Sequence, residues 1–135
     1  MKKIILTAAL FCFTFFYSQK NQNYLQIGYA SVCCGPPSEK PVISYLKEFK
    51  KKNQIKSLEI LIQSGMGREG EFNVYVGTDY LSVNQKSRLI RGLMATVSNQ
   101  NNRREQKDNG LVNFNSEITV KQQDINTKNL TIYKK

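Results

Sequence analysis

The sequence contains no histidine and no tryptophan, only three prolines and three cysteines, and half as many acidic residues as basic ones. Without histidine, neither a catalytic triad with an imidazole base nor a His-ligated metal site can be built. A general base would have to be a carboxylate, a lysine, a tyrosine or a thiolate. The chain also lacks a hydrophobic run of the ~20 residues that a membrane-spanning helix needs. Its 135 residues allow one domain and little more.

What is present begins with a leader pattern. Lys2 and Lys3 open the chain, Ile4 to Tyr17 is almost wholly apolar, and polar sequence starts at Ser18-Gln19. A positive start, a short apolar middle and a small residue at the exit describe a secretory signal peptide. The expectation is export, with residues 1–18 removed and a periplasmic or secreted mature chain. Phe11 directly before Cys12 argues against a lipoprotein signal, which wants a small residue there. Loss of Lys2 and Lys3 leaves 18 basic residues against 10 acidic, a net charge of +8 over 117 residues. A chain of that size buries about two-thirds of its unfolded surface, enough for one real core.

Residues 24–32 read as a strand, with Leu25, Ile27 and Tyr29 on one face. Cys33-Cys34-Gly35-Pro36-Pro37 stops it. Ser38 is the expected helix cap, and Pro41 suits a first turn because its missing N–H has no helical partner there. Val42, Tyr45, Leu46 and Phe49 then form an apolar stripe, which ends at Lys50-Lys51-Lys52. Alternation predicts strands near 57–64 and 71–77, joined by a hairpin loop, Gly65-Met66-Gly67-Arg68-Glu69-Gly70. Ser82 and Gln85 form a capping-box signature for a second helix over 82–100, with Leu89, Ile90, Leu93, Met94 and Val97 apolar. Residues 99–110 contain no apolar side chain and read as a mobile loop. Strand-like sequence resumes at 111–114, 118–120 and 130–133. The order is β-α-β-β-α-β with an added terminal strand. It predicts an α+β fold of the split-βαβ, ferredoxin-like kind, one domain over 19–135, with two helices on one face of an antiparallel sheet.

The most specific local feature is Cys33-Cys34. Once the leader is gone these are the only cysteines, so a loop-closing disulfide with a distant partner is excluded. Free thiols, a vicinal disulfide, or links to another chain or ligand remain. Adjacent Cα atoms about 3.8 Å apart are closer than the ~4.4–6.8 Å usual across a disulfide, which marks a vicinal bridge as labile rather than structural. Soft thiolates suit Cu(I) and similar ions. In heavy-metal-associated βαββαβ domains two cysteines occupy the same strand-to-helix loop in a Met-x-Cys-x-x-Cys pattern. Here the cysteines are adjacent and no Met precedes them, so the likeness is one of position alone. The plainer reading makes both cysteines small buried hydrophobes, or a simple structural bridge.

Gly65-x-Gly67-x-x-Gly70 has the GxGxxG spacing, but a dinucleotide cradle needs a helix after it and here a strand follows. The loop reads instead as a flexible hairpin that could touch a partner. Glu69, Glu71 and Asp79 are ordinary solvated acids, without a pocket-building signature around them. The basic residues are scattered, which together with export disfavours a nucleic-acid role. A protein or an anionic envelope component is the expected type of partner. Two readings follow. The favoured one is a non-catalytic exported binding or interaction module, so the chain leans away from being an enzyme. The alternative is a thiol redox or soft-metal module built on Cys33 and Cys34.

Overall fold

A computed structural model describes residues 21–104 and 110–134. Within them, two helices pack with a five-stranded antiparallel sheet, an α+β fold. The strands are β1 (Asn23–Ala30), β2 (Ile60–Gln63), β3 (Phe72–Gly77), β4 (Leu111–Lys121) and β5 (Leu130–Ile132). The helices are α1 (Lys40–Lys52), between β1 and β2, and α2 (Val83–Asn102), between β3 and β4. Across the sheet the order is β4-β1-β3-β2-β5, every neighbouring pair antiparallel. The sheet is therefore wider than a four-stranded one, because β5 pairs outside β2. No helix among the described residues is long and apolar enough to cross a membrane. The expected signal peptide lies outside the described residues.

Period-two alternation builds the helix-facing side of the sheet. Leu25 pairs with Val76, Ile27 with Val74 and Tyr29 with Phe72, so like faces coincide across the central strands. Both helices cover this face. α1 buries Val42, Ile43, Leu46 and Phe49, and α2 buries Leu89, Leu93 and Val97. The stripe of α1 is rotated from the expected one: Ile43 is buried, while Tyr45 is only partly buried. Tyr45 lies over α2, where its hydroxyl reaches the carbonyls of Arg88 and Leu89 at 3.3 Å. Gly92 makes this crossing feasible, since a Cβ there would run into the Tyr45 ring and hydroxyl. Met94, expected in the core, is 50% exposed.

The other face of the sheet is only partly covered. After β4 a short 3-10 turn (Gln122–Asp124) brings Ile125 against Tyr24, Leu61 and Tyr75. Polar partners line this second cluster. Tyr75 donates to Gln63 Oε1 at 2.9 Å, and Gln63 Nε2 donates to the Asn126 carbonyl at 2.8 Å. Tyr24 donates to Glu59 at 2.9 Å, and Glu59 also receives Asn21 Nδ2 at 2.8 Å. This explains why β2 does not alternate cleanly. Ile60 faces the helices while Leu61 and Gln63 are buried on the opposite side.

Helix signals were legible to different degrees. The Ser82–Gln85 capping box forms: Ser82 Oγ accepts from Gln85 N at 3.2 Å and Gln85 Oε1 from Ser82 N at 2.9 Å. Ser38 does not cap α1. Glu39 occupies that position without a side-chain bond, and Ser38 Oγ accepts from Lys40 N at 3.2 Å. Lys50, Lys51 and Lys52 fill the last turn of α1, where positive charge complements the macrodipole. The expected 99–110 loop is corrected in its first part. α2 continues through Asn102, because the 99–102 backbone keeps helical bonding and its side chains find tertiary partners. Residues 105–109 lie outside the described residues. The two short strands expected at 111–114 and 118–120 are one strand, β4, with a register shift opposite Leu25–Ile27.

Candidate functional site

β1 ends at Ala30 rather than at Val32, and the chain turns at once. Cys34 has φ 73° and Gly35 φ 100°, two consecutive residues in the left-handed region. Gly35 takes that conformation freely, while at Cys34 it carries a steric penalty of about 1–2 kcal/mol. Gly35 N donates to Ser31 Oγ at 3.1 Å, which closes the turn on itself. Pro36 and Pro37 then lead into α1. Directly before the turn, Tyr29 stacks on Phe72 with ring centroids 4.4 Å apart. Its hydroxyl is buried without a partner, and burial, then the Glu39 charge, pushes its pKa well up.

Both cysteines are solvent-exposed, and their sulfurs lie at disulfide distance. The reading of the pair as small buried hydrophobes is thereby overturned. The tandem prolines and the left-handed turn carry the pair outward, off the end of β1. Among the described residues no group of three or more His, Cys, Asp or Glu side chains could hold a metal ion. A Cu(I) site would have to rest on Cys33 and Cys34 alone.

The pair forms one wall of a cleft of about 540 Å³. The opposite wall is the C-terminal end of α2, with Asn99, Gln100, Arg103 and Arg104. Its only charged side chains among the described lining residues are the two arginines. Gln100 ties the walls together, because its Nε2 donates to the Ser38 carbonyl at 2.7 Å, while its Oε1 is buried without a partner. Arg104 donates through Nη1 to the Gly110 carbonyl at 3.1 Å, which orients its guanidinium at the rim. A cationic rim and amide side chains suit a small ligand carrying negative charge.

Every residue of the 65–70 loop is exposed, Met66 to 50%. It connects β2 to β3 as a hairpin, and Met66 N donates to the Glu71 carbonyl at 3.0 Å. The loop returns beside the cysteine turn: a Cβ on Gly70 would stand 3.9 Å from Pro36 Cδ. Gly65, Met66, Gly67, Arg68, Glu69 and Gly70 thus occupy the same end of the sheet as Cys33 and Cys34. None of the six lines the cleft. A second hollow of about 590 Å³ lies beside the open sheet face, with Gly28, Gln26, Asn73 and Asn113 in its lining and Met66 beside them. Its lining also includes Glu71 and Tyr29, and neither cysteine belongs to it.

Asn99, Gln100, Arg103 and Arg104 were absent from the sequence-derived site. Their polar run carries no periodicity from which to place them on a helix, and only tertiary packing sets them opposite the cysteines. No protein-family model, curated protein or solved structure matches the chain.

Proposed function

We propose that this chain is an exported, non-catalytic binding module. Its ligand site is the cleft between the 33–38 turn and the end of α2. One observation carries the reading: the cleft has a small-ligand volume, and every charged side chain among its described lining residues is an arginine. The ligand class is therefore a small anion-bearing molecule. Export rests on the leader pattern of residues 1–18. In the same reading, the run β4-β1-β3-β2 is a split-βαβ, ferredoxin-like frame to which β5 has been added. Both helices lie on one face of that frame, and the cleft opens at the end where β1 hands over to α1.

A two-dimensional NMR titration of the mature protein with small dicarboxylates and organosulfonates tests the site. Shifts concentrated at 33–38 and 99–104 are expected. Shifts confined to 65–70, or none at all, would remove the cleft as the binding site. A second reading, a thiol redox module, is favoured by the exposure of two cysteines adjacent in the chain.

A further inference from the structure

We infer that Cys33–Cys34 undergoes thiol–disulfide exchange with low-mass thiols that carry a carboxylate or sulfonate, held in the cleft by Arg103 and Arg104. The inference rests on the binding reading above and names the ligand class. Three features of the cleft converge on it. The disulfide is exposed in the wall, so a sulfur can be approached from solvent. The cleft lining includes the guanidiniums of Arg103 and Arg104, which favour an anionic thiol over a cationic one. The volume of about 540 Å³ fits a small molecule.

The chemistry balances with the thiol as the only co-reactant. A thiolate RS⁻ attacks one cysteine sulfur, the Cys33–Cys34 bond breaks, and a mixed disulfide forms while the other cysteine leaves as a thiolate. The cationic rim favours that departing charge. A second RS⁻ attacks the mixed disulfide, releasing RSSR and the second cysteine thiolate, and both cysteine thiolates take up protons. Two electrons pass from two thiols to the protein, and RSSR run in reverse restores the bridge.

The experiment uses the oxidised mature protein. Mixed-disulfide and dithiol formation are followed by acid-quenched intact mass with 3-mercaptopropionate, 2-mercaptoethanol and cysteamine, each rate divided by that thiol's rate with bis(2-hydroxyethyl) disulfide under the same conditions, which removes thiolate fraction and intrinsic nucleophilicity together. The anionic thiol should react about tenfold faster than the cationic one, and the ratio should shrink at about 0.5 M salt. Arg103→Gln with Arg104→Gln should bring the ratio close to one. Equal rates for the three thiols in the wild type, or no reaction, would overturn the inference without any reliance on variants. The S-methyl ether of 3-mercaptopropionate, which binds but cannot exchange, separates the two claims in the NMR titration. If it shifts the cleft resonances while the thiols show no charge preference, binding stands and exchange guided by the arginines falls. If it shifts nothing and the thiols show no preference, both fall.

Discussion

Asn101 holds Val112 with both ends of its carboxamide: Nδ2 donates to the Val112 carbonyl at 2.9 Å, and Oδ1 accepts from Val112 N at 3.1 Å. β4 is an edge strand with β1 on one side only. The amide of Asn101 gives it bonding of the kind a neighbouring strand would supply, and so pins the end of α2 to the start of β4. The position of Arg103 and Arg104 at the cleft depends on this tie. Asn101→Ala leaves two backbone groups without their partner and should destabilise the fold by about 1–3 kcal/mol in urea unfolding. Hydrogen exchange at Val112 should accelerate with it. Unchanged protection at Val112 would show that the tie contributes nothing.

The Tyr45–Gly92 crossing gives a prediction whose sign depends on the partner. In the wild type, Gly92→Ala forces a Cβ into the Tyr45 ring and should cost about 1–3 kcal/mol despite the better helix propensity of alanine. In a Tyr45→Ala background the obstruction is gone. There the same change should stabilise by up to about 1 kcal/mol, the difference between glycine and alanine in a helix interior. A double-mutant cycle measured by thermal or urea unfolding checks the reversal.

Asp79 organises the start of β1. Its carboxylate accepts from the backbone N–H of Gln22, from Asn23 Nδ2 at 2.9 Å and from Asn23 N at 3.3 Å. Partial burial pushes its pKa up, but these donors and the nearby Lys86 more than offset that and hold it below the ordinary carboxylate value. A depressed folded-state pKa adds stability above the unfolded value, and that stability is lost as pH falls through the folded one. Wild-type stability should therefore decline more steeply below pH about 4 than that of Asp79→Asn, whose curve should be flatter there. Parallel acid-unfolding curves would contradict this role.

Reduction of Cys33–Cys34 should leave global stability nearly unchanged. The bridge joins adjacent residues and removes little freedom from the unfolded chain, so a change of about 1 kcal/mol or less is expected. The effect should be local, at 31–38 and at the facing end of α2, read by NMR shifts before and after reduction. A loss of several kcal/mol would make the bridge a structural staple.

The helix-facing core was legible because its periods are simple. Leu25, Ile27 and Tyr29 alternate, Phe72, Val74 and Val76 alternate, and Ser82 with Gln85 announces α2. Legibility failed where a local pattern has two solutions. Tyr45 looks like a core residue at helical spacing, yet the crossing angle over Gly92 turns it toward α2 and buries Ile43 instead. Gln63 looks like the solvent side of a strand, yet the Ile125 segment covers it.

The candidate site divides in the same way. The sequence by itself determined that one adjacent cysteine pair follows the first strand, that no histidine is available to assist it, and that Gly35-Pro36-Pro37 must turn the chain there. Those are properties of covalent neighbours and residue types. Only the tertiary structure decided that the pair is exposed and that Arg103 and Arg104 face it. The reason is physical: the last turn of α2 has no apolar face to announce it, and its place is set by Gln100 bonding to Ser38 and Asn101 to Val112, contacts between residues 62 and 11 positions apart.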